Sequence, residues 1–269
     1  FLRMGKIKYM YCIATDNNLL NKISNLGYLP VGLGDSEFSD GWITDRDGEN
    51  IANKNKFYGE YTFHYYLWKN LLHKIPDNEW IGFCGYRRFW KKKTNFGKTF
   101  EDMVIKEIPE EWNNYDVVIG DKLNLEEIKW IKVLKYGKKA FFRNPKIILN
   151  KKFRNIRFQF DMFHGNGILD KAIGQLNLND KEKFSKFIRT QTSFNQGNMF
   201  VTKSKKIMDN YYKVLFEWLR KCEDIFGFNL DGYGKTRIYA FLAERFLSYW
   251  FKENTNYLEW PIMFHDIRK

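Results

Sequence analysis

The chain has 269 residues, 44% of them hydrophobic, so it can bury one large core, and length alone fits one domain or two closely packed ones. Nothing approaches the roughly eighteen consecutive apolar residues of a bilayer-crossing helix. The net charge of +13 calls for an anionic partner, whether nucleic acid, phospholipid headgroups or a nucleotide-linked substrate, although abundant Lys, Asn, Ile, Phe and Tyr are equally what an AT-rich genome produces.

The opening FLRMGK, with Met4 in fourth place, shows no cleavable signal peptide and reads as an internal fragment or a cloning scar. Lys6 to Ala14 is β-rich and runs into Thr15 and Asp16, as a first strand does where its end meets a nucleotide in an α/β fold. A short extended piece, Tyr28 to Gly32, precedes a polar Gly/Asp/Ser loop from Gly34 to Asn50 that is either mobile or functional. From about Asn55 to His73 the spacing of Phe57, Tyr61, Tyr65, Trp68 and Leu72 predicts a helix capped by Asn53 or Asn55. Glu60 and His64, four apart on it, are either a cooperating pair or a solvated one.

Trp80 to Cys84 then reads as a strand buried on both faces, with Gly85 permitting a turn, followed by Tyr86, Arg87 and Arg88. The carboxyl edge of an open α/β sheet is where ligands bind, and a guanidinium fork matches phosphate oxygens bidentately. The alternative for Arg87 and Arg88 is a surface ion pair. Next come an acidic, helix-like stretch, Glu101 to Trp112, a strand at Tyr115 to Gly120, and a lysine-rich insertion of helices and loops from Lys122 to Lys152. Asn179 to Arg189 reads as a polar helix, and Ser193 to Thr202 as an extended apolar segment interrupted by Gly197. Two long helices follow, Ser204 to Phe226 and Thr236 to Glu253. Strands alternating with helices, then a helical end, give an α/β class.

Several residues could carry chemistry. Arg237, Glu244 and Arg245 lie on the last helix, with Arg237 and Glu244 two turns apart on one side. Buried there, Glu244 would serve as a general base or pair with an arginine, and the residues alone favour the structural pair. His265 is a metal or phosphate ligand, or neither. Asp45 and Asp47 have the Asp-x-Asp spacing that can clamp a divalent ion, a pattern common by chance in polar loops. Cys12, Cys84 and Cys222 fit reduced core thiols of a cytoplasmic protein, not a zinc site or disulfide framework. Walker-type loops, Cys/His metal spacings and nucleophile elbows are all missing from the sequence, which removes support for NTPase, zinc-site and serine-hydrolase chemistry.

EYTFHYYLWKN (Glu60 to Asn70) and GYRRFW (Gly85 to Trp90) resemble paired blocks, ELTALYWIWKN and HYRRYF, of a family of bacterial capsule and O-antigen glycosyltransferases carried as a domain of unknown function. ENIANKN, YLPVGLG, GNMFVTK and RIYAFLAERFLSYWF are similar to further blocks of that family, in the same order and over nearly the whole chain. The resemblance implies a GT-A-like, Rossmann-type sandwich with a mostly parallel central sheet and a helical C-terminal part. It implies a single domain whose residues 1–120 bind a nucleotide sugar and whose residues 121–269 bind the acceptor.

The same resemblance puts Thr15, Asp16, Tyr86, Arg87, Arg88, Gly197, Asn198 and His265 at the donor. Arg87 and Arg88 replace the metal-binding Asp-x-Asp of GT-A enzymes, and Glu244 is the acceptor base. Glu60, His64, Arg237 and Arg245 are acceptor or structural residues. No cofactor is required; a divalent metal held through Asp45, Asp47 or His265 is the alternative. The implied reaction moves a sugar, UDP-linked and with a furanose among the options, with inversion, onto an oligosaccharide or lipid-linked glycan of capsule or lipopolysaccharide. The expected location is the cytoplasm, at the inner face of the membrane where Phe89, Trp90 and Lys91 to Lys93 make peripheral contact. Rivals are a basic nucleic-acid-binding protein, which the core-like spacing of the aromatics argues against, and a catalytically silent glycan-binding module. Gly85 departs from the family's histidine.

Overall fold

The computed structural model describes residues 5–94, 97–127, 142 and 150–269. Its strands run, in chain order, β1 (Tyr9–Ala14), β2 (Leu29–Gly32), β3 (Ile43–Thr44), β4 (Ile81–Gly85), β5 (Arg88–Trp90), β6 (Val117–Gly120), β7 (Lys122–Asn124), β8 (Ser193–Asn195), β9 (Phe200–Thr202), β10 (Tyr257–Trp260) and β11 (Ile262–Phe264). They fall into two compact units, one formed by Phe1–Asp121, Gly197–Lys213 and Phe251–Lys269, the other by Lys122–Gln196 and Val214–Trp250.

The first unit is built on a sheet in the order β10-β6-β9-β4-β1-β2-β3, with β5 and β11 branching from β4. Every neighbouring pair along that path is parallel except those made by β9, which runs against both β6 and β4. Successive side chains of a strand face opposite sides, so β1 and β4 feed two cores. Tyr11 and Phe83 join Phe63, His64 and Phe200 on one face, where Phe83 and Phe200 lie 5.0 Å apart. Met10, Cys12 and Cys84 join the tryptophan cluster of Trp80, Trp90, Trp112 and Trp260 on the other. Burial on both faces is why β4 reads as a continuous apolar run and not as an alternating one.

The second unit pairs β7 with β8 antiparallel, Leu123 opposite Phe194. Around them are the helices Ile156–His164, Ile168–Ile173, Leu178–Thr190 and Tyr233–Thr236, with the later part of Lys205–Phe226 and most of Ile238–Asn254. Phe184 stacks on Tyr249 at 4.9 Å, Trp218 meets Phe246 at 5.0 Å, and the Trp218 indole donates to Ala172 O at 2.7 Å. Each such buried aromatic contributes about 2 kcal/mol by leaving water.

Four expectations need correction. The helix from Asn55 to His73 breaks at Gly59, whose φ of 56° no helical residue adopts, into Asn55–Tyr58 and Tyr61–Tyr66 followed by a wider turn, Leu67–Leu71. Neither Asn53 nor Asn55 caps it: Asn50 accepts from Ala52 N, while the Asn55 amide donates to Gly59 O and Thr62 Oγ1, bracing the break. Ser193 to Thr202 is not one segment, because β8 and β9 belong to different sheets and to different units. The long helices do not end the chain, which returns to the first sheet through β10 and β11. Of the lysine-rich stretch expected from Lys122 to Lys152, residues 128–141 and 143–149 lie outside the described residues.

Candidate active site

In the first unit the chain leaves β1 toward β2 and β3, then returns to lay β4 on the other side of β1. A reversal of this kind opens a crevice at the carboxyl ends of the two strands, where α/β sheets bind ligands. Ile13 is in register with Gly85, and Tyr86 N donates to Ile13 O at 3.0 Å, so Thr15 and Asp16 emerge beside Tyr86 and Arg87. The loop expected to be mobile or functional is tied to this edge: Ser36 Oγ donates to Thr15 O at 3.1 Å, and Ser39 N to Asn17 Oδ1 at 3.0 Å. Arg46 secures the loop from within by donating to Gly34 O and Ser36 O. Asp16 accepts from Asn18 N at 3.0 Å, capping the short helix Asn17–Leu19.

The two arginines sit on a hairpin, not at a free strand end. Gly85 pairs with Arg88, Tyr86 and Arg87 make the turn, and β5 runs back antiparallel to β4. Both guanidinium-bearing residues are exposed, and among the described residues neither lies within salt-bridge distance of a carboxylate, although the Arg87 charge helps to hold the Asp266 carboxyl below the usual range. Arg87 lies over the Tyr86 ring at 5.1 Å. Arg88 packs against Gly197, where a Cβ would meet its Cδ at 3.3 Å and Nη1 at 3.4 Å. Gly197 and Asn198 both have left-handed backbones, φ 91° and 53°, leading into β9. The buried Asn198 amide donates to Glu60 Oε1 at 2.7 Å, whereas its Oδ1 is buried with no partner among the described residues. Thus Thr15, Asp16, Tyr86, Arg87, Arg88, Gly197, Asn198 and Glu60, far apart in sequence, all belong to this one unit.

Other candidates are placed differently. His265 donates its backbone N–H to Arg87 O at 3.1 Å, but its ring stacks on Phe100 at 4.1 Å. His64 is neither solvated nor a partner of Glu60: it is fully buried, bonded to the Tyr212 hydroxyl at 2.8 Å, and burial drives its pKa down to about 3. Asp45 is buried, its pKa raised by desolvation against the lowering effect of the Thr62 hydroxyl, while Asp47 is exposed. Among the described residues no three of His, Cys, Asp and Glu converge on one point. Phe89 and Trp90 are wholly buried, so these two aromatics cannot insert into a membrane, and Lys93 lies over the Trp260 ring at 4.1 Å. No helix among the described residues is long and apolar enough to cross a bilayer.

Glu244, Arg237 and Arg245 belong to the second unit. Arg245 is fully buried and bonded to Glu244 Oε2, to Gln159 Oε1 at 2.8 Å and across the Phe194 ring at 4.4 Å. His164 Nε2 faces the same guanidinium at 3.5 Å, and Arg237 lies over the exposed Tyr233 ring at 6.0 Å.

Sequence reasoning missed Asp266, Arg268 and Lys22. Arg268 lies over the Tyr86 ring at 4.9 Å, in a two-point ion pair with Asp266. The available signal was an aspartate two residues before an arginine, since Asp266 accepts from Arg268 N at 3.1 Å and so starts a turn that brings the two side chains together.

The family described as "Domain of unknown function (DUF4422)" matches residues 17–255. No curated protein matches the chain. Among solved structures, one described as the apo structure of the WbbM bifunctional glycosyltransferase is similar, with a TM-score of 0.58 at 21% identity over 95% of this chain and 45% of that one. The chain therefore spans less than half of that protein, and the likeness supports the fold: mixed α/β with a mostly parallel central sheet, GT-A-like.

Proposed function

The chain belongs to the DUF4422 family, and from that premise we propose that it is a glycosyltransferase that moves a sugar from a nucleoside-diphosphate donor to a glycan acceptor. The observation that carries the reading is the Tyr86–Arg87 turn with Arg88 against Gly197: two exposed guanidinium groups, outside any salt bridge among the described residues, at a topological switch point. The description of WbbM as a bifunctional glycosyltransferase supports sugar transfer in general.

Breaking a glycosyl–phosphate bond leaves charge on the diphosphate, and cations fixed where that charge develops lower the barrier. Arg87 and Arg88 take this role in place of a metal ion. Thr15 and Asp16 face the nucleoside, and Gly197 and Asn198 the donor sugar. Gly197 lets the backbone approach closely, and the buried Asn198 Oδ1 supplies an acceptor for a sugar hydroxyl. The finer reading of a uridine-linked, furanose donor, a capsular or lipopolysaccharide acceptor, inversion, and work at the inner face of the cytoplasmic membrane rests on the resemblance of the EYTFHYYLWKN and GYRRFW blocks.

A second reading applies to Glu244. As the acceptor base it would take the hydroxyl proton while the sugar is displaced. Its ion pair with the buried Arg245 supports a structural role instead. Arg88→Ala tests the main proposal: turnover of the donor falls about a hundredfold or more if Arg88 stabilises the leaving diphosphate. Near-normal turnover with an unchanged melting temperature removes it from the mechanism.

A further inference from the structure

The segment after β11 is fastened to the hairpin. His265 N donates to Arg87 O at 3.1 Å, Ile267 N to Tyr86 O at 3.3 Å, and Lys22 Nζ to Ile267 O at 2.7 Å, with the Ile267 side chain buried. Arg268 is thereby set at the same edge as Asp16 and Tyr86. Its Nε and Nη2 donate to the two Asp266 oxygens at 2.9 and 2.6 Å, which leaves the Nη1 side of the fork for a ligand. Its Cζ lies 4.9 Å from the centre of the Tyr86 ring, and Arg87 meets the same ring. The two-point ion pair and the ring restrict this partly exposed side chain, so capturing an oxyanion costs less ordering than it would for an unpaired arginine.

Position separates Arg268 from Arg88. Sheet order around the hairpin is β9-β4-β1. Arg88 abuts Gly197, which leads into β9, whereas the segment carrying Arg268 is tied through Ile267 O to Lys22, on the helix Leu20–Asn25 that follows β1. The two guanidinium groups thus lie toward opposite sides of β4, one toward the sugar end of a bound donor and one toward the nucleoside end. We propose that Arg268 is a third phosphate ligand, taking the nucleoside-proximal phosphate while Arg88 takes the sugar-proximal one. This rests on the reading of the hairpin as a nucleoside-diphosphate site.

The test is titration calorimetry of the intact chain with the mono- and diphosphates of uridine, guanosine and adenosine. For the nucleoside that binds, Arg268→Ala weakens monophosphate and diphosphate alike, each by about tenfold, the loss of one charge-assisted hydrogen bond. Arg88→Ala weakens the diphosphate and leaves the monophosphate within about twofold. Unchanged melting temperatures verify that both variants fold. Monophosphate affinity unaltered in Arg268→Ala, with diphosphate affinity lost in Arg88→Ala, overturns the role of Arg268 while the hairpin reading stands. Failure of the unmutated chain to bind any diphosphate removes the hairpin reading and this proposal together.

Discussion

Two glycines near the arginines have opposite structural meaning. Gly197 has φ 91°, and a Cβ there would press on the Arg88 side chain at 3.3 Å, so Gly197→Ala is expected to destabilise the protein by about 1–2 kcal/mol, chiefly through the backbone, and to shift the guanidinium. Gly85 has no positive φ, and a Cβ there meets only Ile13 O, at an ordinary 3.7 Å. Gly85→Ala therefore keeps or raises stability by up to about 1 kcal/mol, since a strand glycine costs that much in chain entropy. Urea denaturation of the two variants checks both, and equal effects would contradict the account. At this scale the sequence was readable where chemistry is local: the arginines after an apolar run, and a glycine interrupting another. It was silent on pairings across the fold such as Asn198 with Glu60, because 138 positions separate them and only the fold brings them together.

The helix Ile238–Asn254 was legible from its apolar stripe, and β1, β2, β4 and β6 from β-rich runs bounded by turn residues. β10 and β11 were not, since each is short and their pairing with β6 and β5 is remote in sequence. The break at Gly59 was hidden for another reason: the helical spacing continues across it, and only the positive φ interrupts the hydrogen bonding. Glu244 belongs to this scale, since its neighbour Arg245 is buried among Phe160, Phe194 and Phe241. Removing the partner of a buried charge is costly, so Glu244→Gln is expected to lower stability by about 3 kcal/mol in denaturant melts. A large fall in turnover with stability unchanged would instead identify Glu244 as the acceptor base.

Each unit encloses a neutral histidine, His64 in the first and His164 in the second. Burial lowers both to about 3 from an ordinary 6.5, assisted at His164 by the Arg245 charge and opposed by the Gly234 carbonyl. On unfolding each regains its ordinary affinity for a proton. Their contribution to stability is therefore complete above about pH 6.5 and is lost as pH falls toward 3, by up to about 1.4 kcal/mol per pH unit for each. His64→Leu should flatten the fall in stability between about pH 6 and 4, and an unaltered slope would contradict the burial argument. At the level of the whole chain, the +13 charge alone left nucleic acid as a partner. Trp90, Trp112, Trp218, Tyr61 and Tyr211 are fully buried and offer no stacking surface for bases, which leaves Tyr233 and Phe264 among the exposed aromatics. What composition could not convey is that arginines gather at the β1–β4 edge, with Arg87 and Arg88 outside any salt bridge among the described residues. The most direct test of that claim is a thermal-shift screen against nucleotide sugars with and without EDTA. One donor is expected to raise the melting temperature, EDTA to leave the shift in place, and Arg88→Ala to abolish it; no shift with any donor, or a shift that EDTA erases, would contradict a metal-free diphosphate site.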